Sequence, residues 1–199
     1  MNAIELIEAH LRESAAVKQR LAVSASAAIA EAARRIAERV AAGGKIMLCG
    51  NGGSAADSQH IAAEFTSRLR STLERPPIAA LALTTDTSFL TARANDYEFA
   101  EVFERLVAGL GRAGDVLIGI STSGNSGNVV RAVDRCRAMD ILTVGFLGGS
   151  GGKLAAMVDI PIVVPSDSTQ HIQESHIAIG HIICELVEEA LYGDKGGIL

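Results

Sequence analysis

Apolar residues recur along this chain with two different periods, and the alternation between them lays out the elements. Over residues 2–42, Leu6, Ile7, Leu11, Val17 and Leu21, then Ile29, Ala33, Ile36 and Val40, follow helical spacing and predict two helices. Alanine is abundant between Ala22 and Ala42, which favours close helix–helix packing and leaves many small apolar positions for another subunit to cover. After Gly43-Gly44 the pattern changes to short uninterrupted apolar runs at 45–49, 78–83, 116–120, 142–146 and 160–164. Between these strands the helical period returns, at 54–69, 98–110, from Gly124-Asn125 to about Met139, and at 169–191. Residues 84–96 read as a loop with a short helix ending at Asn95-Asp96, Gly148 to Gly152 as a flexible strand-to-helix loop, and Gly193 to Leu199 as a mobile tail.

Strands with no polar alternation lie in a parallel sheet covered on both faces. The pattern therefore predicts an α/β fold, a doubly wound five-stranded parallel sheet flanked by helices, with an N-terminal helical hairpin. A single domain spans 1–199, with 1–42 used in oligomer packing and 43–193 forming the α/β core. In such folds ligands bind beyond the carboxyl ends of the strands, which brings the loops 50–54, 84–96 and 121–126 together.

The first of these loops opens GNGGSAADSQHIAAE, residues 50–64. Strand, glycine-rich turn and helix is an arrangement that cradles an anion with backbone N–H groups. Gly50-x-Gly52-x-x-Ala55 fits a loose dinucleotide fingerprint, but no clear acidic residue ends a second strand where a ribose-binding group belongs. The last loop, Ser121-Thr122-Ser123-Gly124-Asn125-Ser126, carries four hydroxyls in six residues, more than a helix cap uses, and suits phosphate oxygens.

His60 and Glu64, four apart, share a helix face. The last helix carries His171, Gln173, Glu174, His176 and His181. His181 is seven residues from Glu174 and eight from Gln173, so spacing alone leans towards Glu174 as its neighbour. Either residue completes, with His60, Glu64 and His181, an N/O set suited to zinc or a similar divalent ion. Helix capping or subunit contacts would use the same histidines.

Composition removes several function classes. Net charge is −5 with no basic block, which argues against a nucleic-acid partner, and aromatics at 4% leave little for base or sugar stacking. Cys49, Cys136 and Cys184 are widely spaced in apolar contexts and read as buried free thiols of a reducing compartment. Neither a signal pattern nor a membrane-length apolar run is present, so the expectation is a cytoplasmic protein without a membrane partner.

Together, the segments GNGGSAADSQHIAAEF, LALTTDTSFLTARAND, GDVLIGISTSGNSGNV and IQESHIAIGHIICELVE resemble the phosphoheptose isomerases of the sugar isomerase (SIS) fold. The serine-rich loop alone would indicate only a sugar-phosphate-binding SIS domain; His60, Glu64 and the last-helix segment narrow it. The resemblance implies interconversion of sedoheptulose 7-phosphate and D-glycero-D-manno-heptose 7-phosphate, the first step towards ADP- or GDP-heptose for lipopolysaccharide or surface glycans. It implies a homotetramer with active sites between subunits and one zinc per subunit, held by His60, Glu64, Gln173 and His181. It also implies that Asn51, Gly52, Gly53, Glu64, Asn95, Asp96, Ser121, Thr122, Ser123, Ser126 and Gln173 hold the substrate. The enediol chemistry of such an enzyme assigns Glu64 as base and His181 as acid. Two alternatives stand beside this. A non-catalytic SIS relative binds the replication initiator DnaA and is expected to lack the carboxylate of Glu64, and an isomerase of another sugar phosphate would share the mechanism.

Overall fold

A computed structural model describes residues 1–193; the expectation for the tail beyond Gly193 lies outside the described residues. Two helices, α1 (Ala3–Ser24) and α2 (Ser26–Ala41), are separated by Ala25 alone. Asn2 and Glu5 form a reciprocal capping box that starts α1. Five strands follow, β1 (Ile46–Cys49), β2 (Ala80–Ala82), β3 (Val116–Ser121), β4 (Leu142–Gly148) and β5 (Ile160–Val164). They form one sheet in the order β2-β1-β3-β4-β5 with every pairing parallel. Interleaved are α3 (Gly53–Thr66), α4 (Thr87–Asp96), α5 (Val102–Leu110) and α6 (Gly127–Arg137), and the chain's longest helix, α7 (Thr169–Tyr192), comes last.

The uninterrupted strands are explained by two separate cores. Ile46 and Leu48 of β1 join Ile36, Phe65 and Ile183 on one face, with α1, α2, α3 and α7. Met47 and Cys49 join Phe103, Val107, Val129 and Val133 on the other, with α5 and α6. Successive residues of a strand point to opposite faces, so a strand covered on both sides must be apolar throughout. All three cysteines are buried, and burial pushes their thiols up from the ordinary range, Cys136 to about 12.

Several boundaries differ from the sequence reading for local reasons. α3 stops at Thr66 rather than near Leu69, because the Leu69 amide donates to Glu188 of α7 (2.9 Å) and not back along the helix. β2 is three residues long, since the Ile78 amide is already taken by the Phe65 carbonyl at 3.1 Å. The 84–96 region is more helical than expected: Asp86 caps α4 by accepting from the Phe89 amide at 2.9 Å. A 3₁₀ turn over Phe99–Glu101 then precedes α5.

The direction in which strands are added reverses at β1: β2 lies on one side of it, and β3 to β5 on the other. The loops after β2, β1 and β3 therefore stand next to one another at the carboxyl edge, at the switch point where open α/β sheets bind ligands.

Candidate active site

Glycine shapes the loop after β1 for two separate reasons. Gly52 has φ +56°, a left-handed conformation that turns the chain into α3. Gly53 is required by closeness: a Cβ there would stand 2.7 Å from the amide nitrogen of Gln173 on α7. No side chain caps α3; its Ser54 amide donates back to the Asn51 carbonyl and its Ala55 amide to that of Gly52, each at 3.0 Å, so the turn closes on main-chain atoms alone. Beside it, the Asn51 and Asn128 amides exchange two hydrogen bonds, of 2.9 and 2.8 Å, tying this loop to the first turn of α6. Asn51 thus spends its amide on the scaffold. Asn128 was not visible as a site residue from the sequence, its only signal being a polar residue at an otherwise apolar helix position.

The loop after β3 carries the four hydroxyls. Ser121 and Ser126 lie 2.9 Å apart oxygen to oxygen, and the Asn125 amide donates to the Ser123 hydroxyl at 3.2 Å. Ser126 precedes α6 without capping it, so capping does not account for the hydroxyls. The Gly148–Gly152 run is not the loose connection its composition predicts. A Cβ on Gly124 would lie 1.9 Å from the Gly151 carbonyl oxygen, and one on Gly152 would lie 2.5 Å from that of Ser123. These glycines permit close packing that braces the serine loop from behind.

Asn95 and Asp96, at the end of α4, are exposed and bond to one another at 2.9 Å. α4 buries no residue of its own; Arg93 holds it by a 2.5 Å ion pair to Glu101 and by stacking 3.7 Å over the Tyr97 ring.

His60 and Glu64 of α3 meet His181 of α7. The His60 and His181 Nε2 atoms are 2.9 Å apart, and His60 Nε2 is 3.4 Å from Glu64 Oε1. One ligand atom from each of the three residues falls within 4.8 Å of the others. Gln173, two turns before His181 on α7, lies over Gly53 at the start of α3. Glu174, which spacing alone favoured, turns to α1 instead. It accepts from the Ser14 hydroxyl, lies 3.2 Å from His10 Nε2, and stands 3.5 Å from His171 Nδ1 and 3.6 Å from Lys18 Nζ. The Ser14 hydrogen bond and then those histidines hold its carboxyl down at about 2. Asp57, one turn before His60, was also missed. Burial raises its carboxyl against the opposing pull of His60 and His181.

A buried ion pair fixes α3 against α7. Arg75 and Glu188 have no exposed side-chain surface and meet at 2.8 Å, and Arg75 also donates to the main-chain carbonyl of Glu64 at 2.9 Å. The helix with His60 and Glu64 is thereby anchored to the helix with His181.

Comparison with known proteins agrees with this fold. Residues 9–148 match the SIS domain family. A phosphoheptose isomerase of Desulfovibrio desulfuricans is 50% identical over 191 residues, covering 96% of this chain and 90% of that protein. The solved phosphoheptose isomerase GmhA of Neisseria gonorrhoeae superposes with a TM-score of 0.88 at 44% identity, covering 94% of this chain and 100% of that one. For a phosphoheptose isomerase from Francisella tularensis the TM-score is 0.91 at 35% identity, covering 95% and 100%.

Proposed function

The chain belongs to the SIS domain family, among its phosphoheptose isomerases, and from that premise we propose that His60, Glu64, Gln173 and His181 form its chemical centre. The reaction is the interconversion of sedoheptulose 7-phosphate and D-glycero-D-manno-heptose 7-phosphate, leading towards a nucleotide-activated heptose for surface glycans. The observation that carries this reading is the meeting of His60, Glu64 and His181 beside the two polar loops at the switch point of the sheet. The same carboxylate weighs against a purely initiator-binding role.

Aldose–ketose exchange needs a base beside carbon and an acid beside oxygen. From the ketose, Glu64 takes a proton from C1 while His181 gives one to the carbonyl oxygen on C2, leaving an enediol. Return of a proton to C2 and loss of the O1 proton produce the aldose, with no change in proton count. Glu64 Oε1 faces His60 at 3.4 Å, which leaves Oε2 for the proton. Ser121, Thr122, Ser123 and Ser126, with Gly52 and Gly53 at the start of α3, take the distal phosphate. Asn95 and Asp96 meet the hydroxyls between, and Asn51 holds the cradle in register through Asn128.

Two imidazoles, a carboxylate and an amide are a donor set that suits zinc, one ion per subunit, and two imidazole nitrogens 2.9 Å apart are a pair that a cation between them satisfies. Bound there, zinc would polarise the substrate oxygen beside the reacting carbons. A homotetramer fits the apolar surface of α1, where Ile4, Leu6, Ile7 and Leu11 are each more than half exposed. A cytoplasmic setting fits the unpaired buried cysteines, and no helix among the described residues is long and apolar enough to cross a membrane.

The deciding experiment is isomerisation of sedoheptulose 7-phosphate by chelated protein with and without added zinc. Turnover restored by zinc supports the whole reading. Turnover indifferent to metal removes zinc from it, and no turnover from folded protein overturns it.

A further inference from the structure

We propose that His10, His171 and Glu174 form a second divalent-cation site that clamps α1 onto α7, separate from the cluster of His60, Glu64 and His181. The three residues offer two imidazole nitrogens and a carboxylate, with one ligand atom from each falling within 4.8 Å of the others. His10 Nε2 is 3.2 Å from Glu174 Oε1, and His171 Nδ1 is 3.5 Å from Glu174 Oε2. Zinc with ligands at 2.0–2.1 Å in a tetrahedron separates its donors by about 3.3 Å, and each histidine already stands near that distance from one oxygen of the carboxylate. The two imidazole rings lie 4.4 Å apart between centroids, and the donors come from different elements, as a clamp requires.

Shelter and access are both present. His171 is buried and fixed, while His10 and Glu174 are half-buried and open to entry from solvent. Ser14, with its hydroxyl on Glu174, stands ready as a fourth donor. A site here would also supply what α1 lacks, because in 22 residues the helix buries only Ser14, Val17 and Leu21, and nothing before Ser14.

Lys18 is the opposing group. Its ammonium lies 3.6 Å from Glu174 and 2.7 Å from the Ser14 hydroxyl, where it would repel a cation. Its side chain is 41% exposed and its stem can carry the charge out to water, so the site binds with Lys18 displaced and more weakly than it would without it. This fixes a sign. Removing the histidine must weaken binding, and removing the lysine must strengthen it.

The test is zinc titration of the chelated full-length protein by calorimetry, with metal content measured after dialysis. The expected result is one zinc equivalent per chain that His10→Gln and His171→Gln each remove, and that Lys18→Gln tightens by several-fold. His181→Gln leaves this equivalent in place, so the result is independent of whether the proposed isomerase centre binds zinc. If the histidine variants hold as much zinc as the parent, or Lys18→Gln binds no more tightly, the proposal is overturned. Circular dichroism of His10→Gln, at a half-buried helix position, checks that lost binding is not lost fold.

Discussion

α7 carries parts of two clusters built from the same three side chains, two histidines and one glutamate, and they sit in unlike surroundings. The set of His60, Glu64 and His181 joins α7 to α3, the helix that follows the glycine turn after β1, and both α3 and the helix after the serine loop, α6, begin without a side-chain cap. The set of His10, His171 and Glu174 is closed in by Ser14 and Lys18, with the carboxylate already hydrogen-bonded. The first lies at the carboxyl edge of the sheet, where the proposed substrate loops are. The second joins α1 to the start of α7, with its carboxylate shared among Ser14, Lys18 and the two histidines. Residue type gives a cluster its affinity for protons and metals; the neighbouring backbone decides whether a substrate can reach it.

The largest expected effect comes from exchanging the two glutamates for glutamine. Glu64→Gln should reduce turnover by about 10²–10⁴-fold in a folded protein, the usual contribution of a positioned base. Glu174→Gln should leave kcat/KM within about twofold, as for a change outside the machinery. Equal losses in the two variants would end the distinction between the clusters. Next is the anchor that belongs to the first cluster alone. Arg75→Met removes the fully buried partner of Glu188 and leaves it only Arg70 at 3.4 Å and the Leu69 amide, and should cost about 3 kcal/mol in urea unfolding, most of it recovered in Arg75→Met/Glu188→Leu.

A pH titration then tests the helix that both clusters share. His176 is buried and donates from Nε2 to the Leu147 carbonyl at 3.0 Å, and burial pushes its pKa down to about 4. The unfolded chain therefore takes up a proton between about pH 6.5 and 4 that the folded one refuses. Stability contributed by this group is complete above that window and should fall by about 3 kcal/mol across it as the solution is acidified. His176→Leu should flatten that part of the curve in unfolding measured at a series of pH values. The smallest change is Gly53→Ala, whose added methyl displaces the Gln173 amide. It should weaken any zinc held at the proposed first site by about 10–100-fold, as when a ligand loses its support, and leave the proposed second site untouched.

Much of this was legible in the chain because the relevant signals are local. Five apolar runs without alternation gave a covered parallel sheet, and the spacing of His60 and Glu64 gave a shared helix face. Where the reading failed, the deciding contact was distant in sequence. Angular spacing along α7 could not show that Glu174 would be claimed by His10 and Ser14, more than 150 residues away. The end of α3 depended on Glu188 of α7, and the Gly148–Gly152 run looked like slack because the carbonyls of Ser123 and Gly124 that press on it lie in another loop. Asn128 was hidden for the same reason, since its partner Asn51 is 77 residues earlier, in the loop after β1.

That asparagine pair has a further consequence. Each amide both gives and receives, and neither can gain or lose a proton in the range where proteins remain folded. A carboxylate or an imidazole in its place would change charge with acidity and would push or pull on an arriving phosphate dianion. The substrate's own ionisation will vary with conditions, while the spacing between the two loops proposed to hold it stays the same. The enzyme's pH profile should then report the chemistry of its catalytic groups rather than any loosening of the cradle.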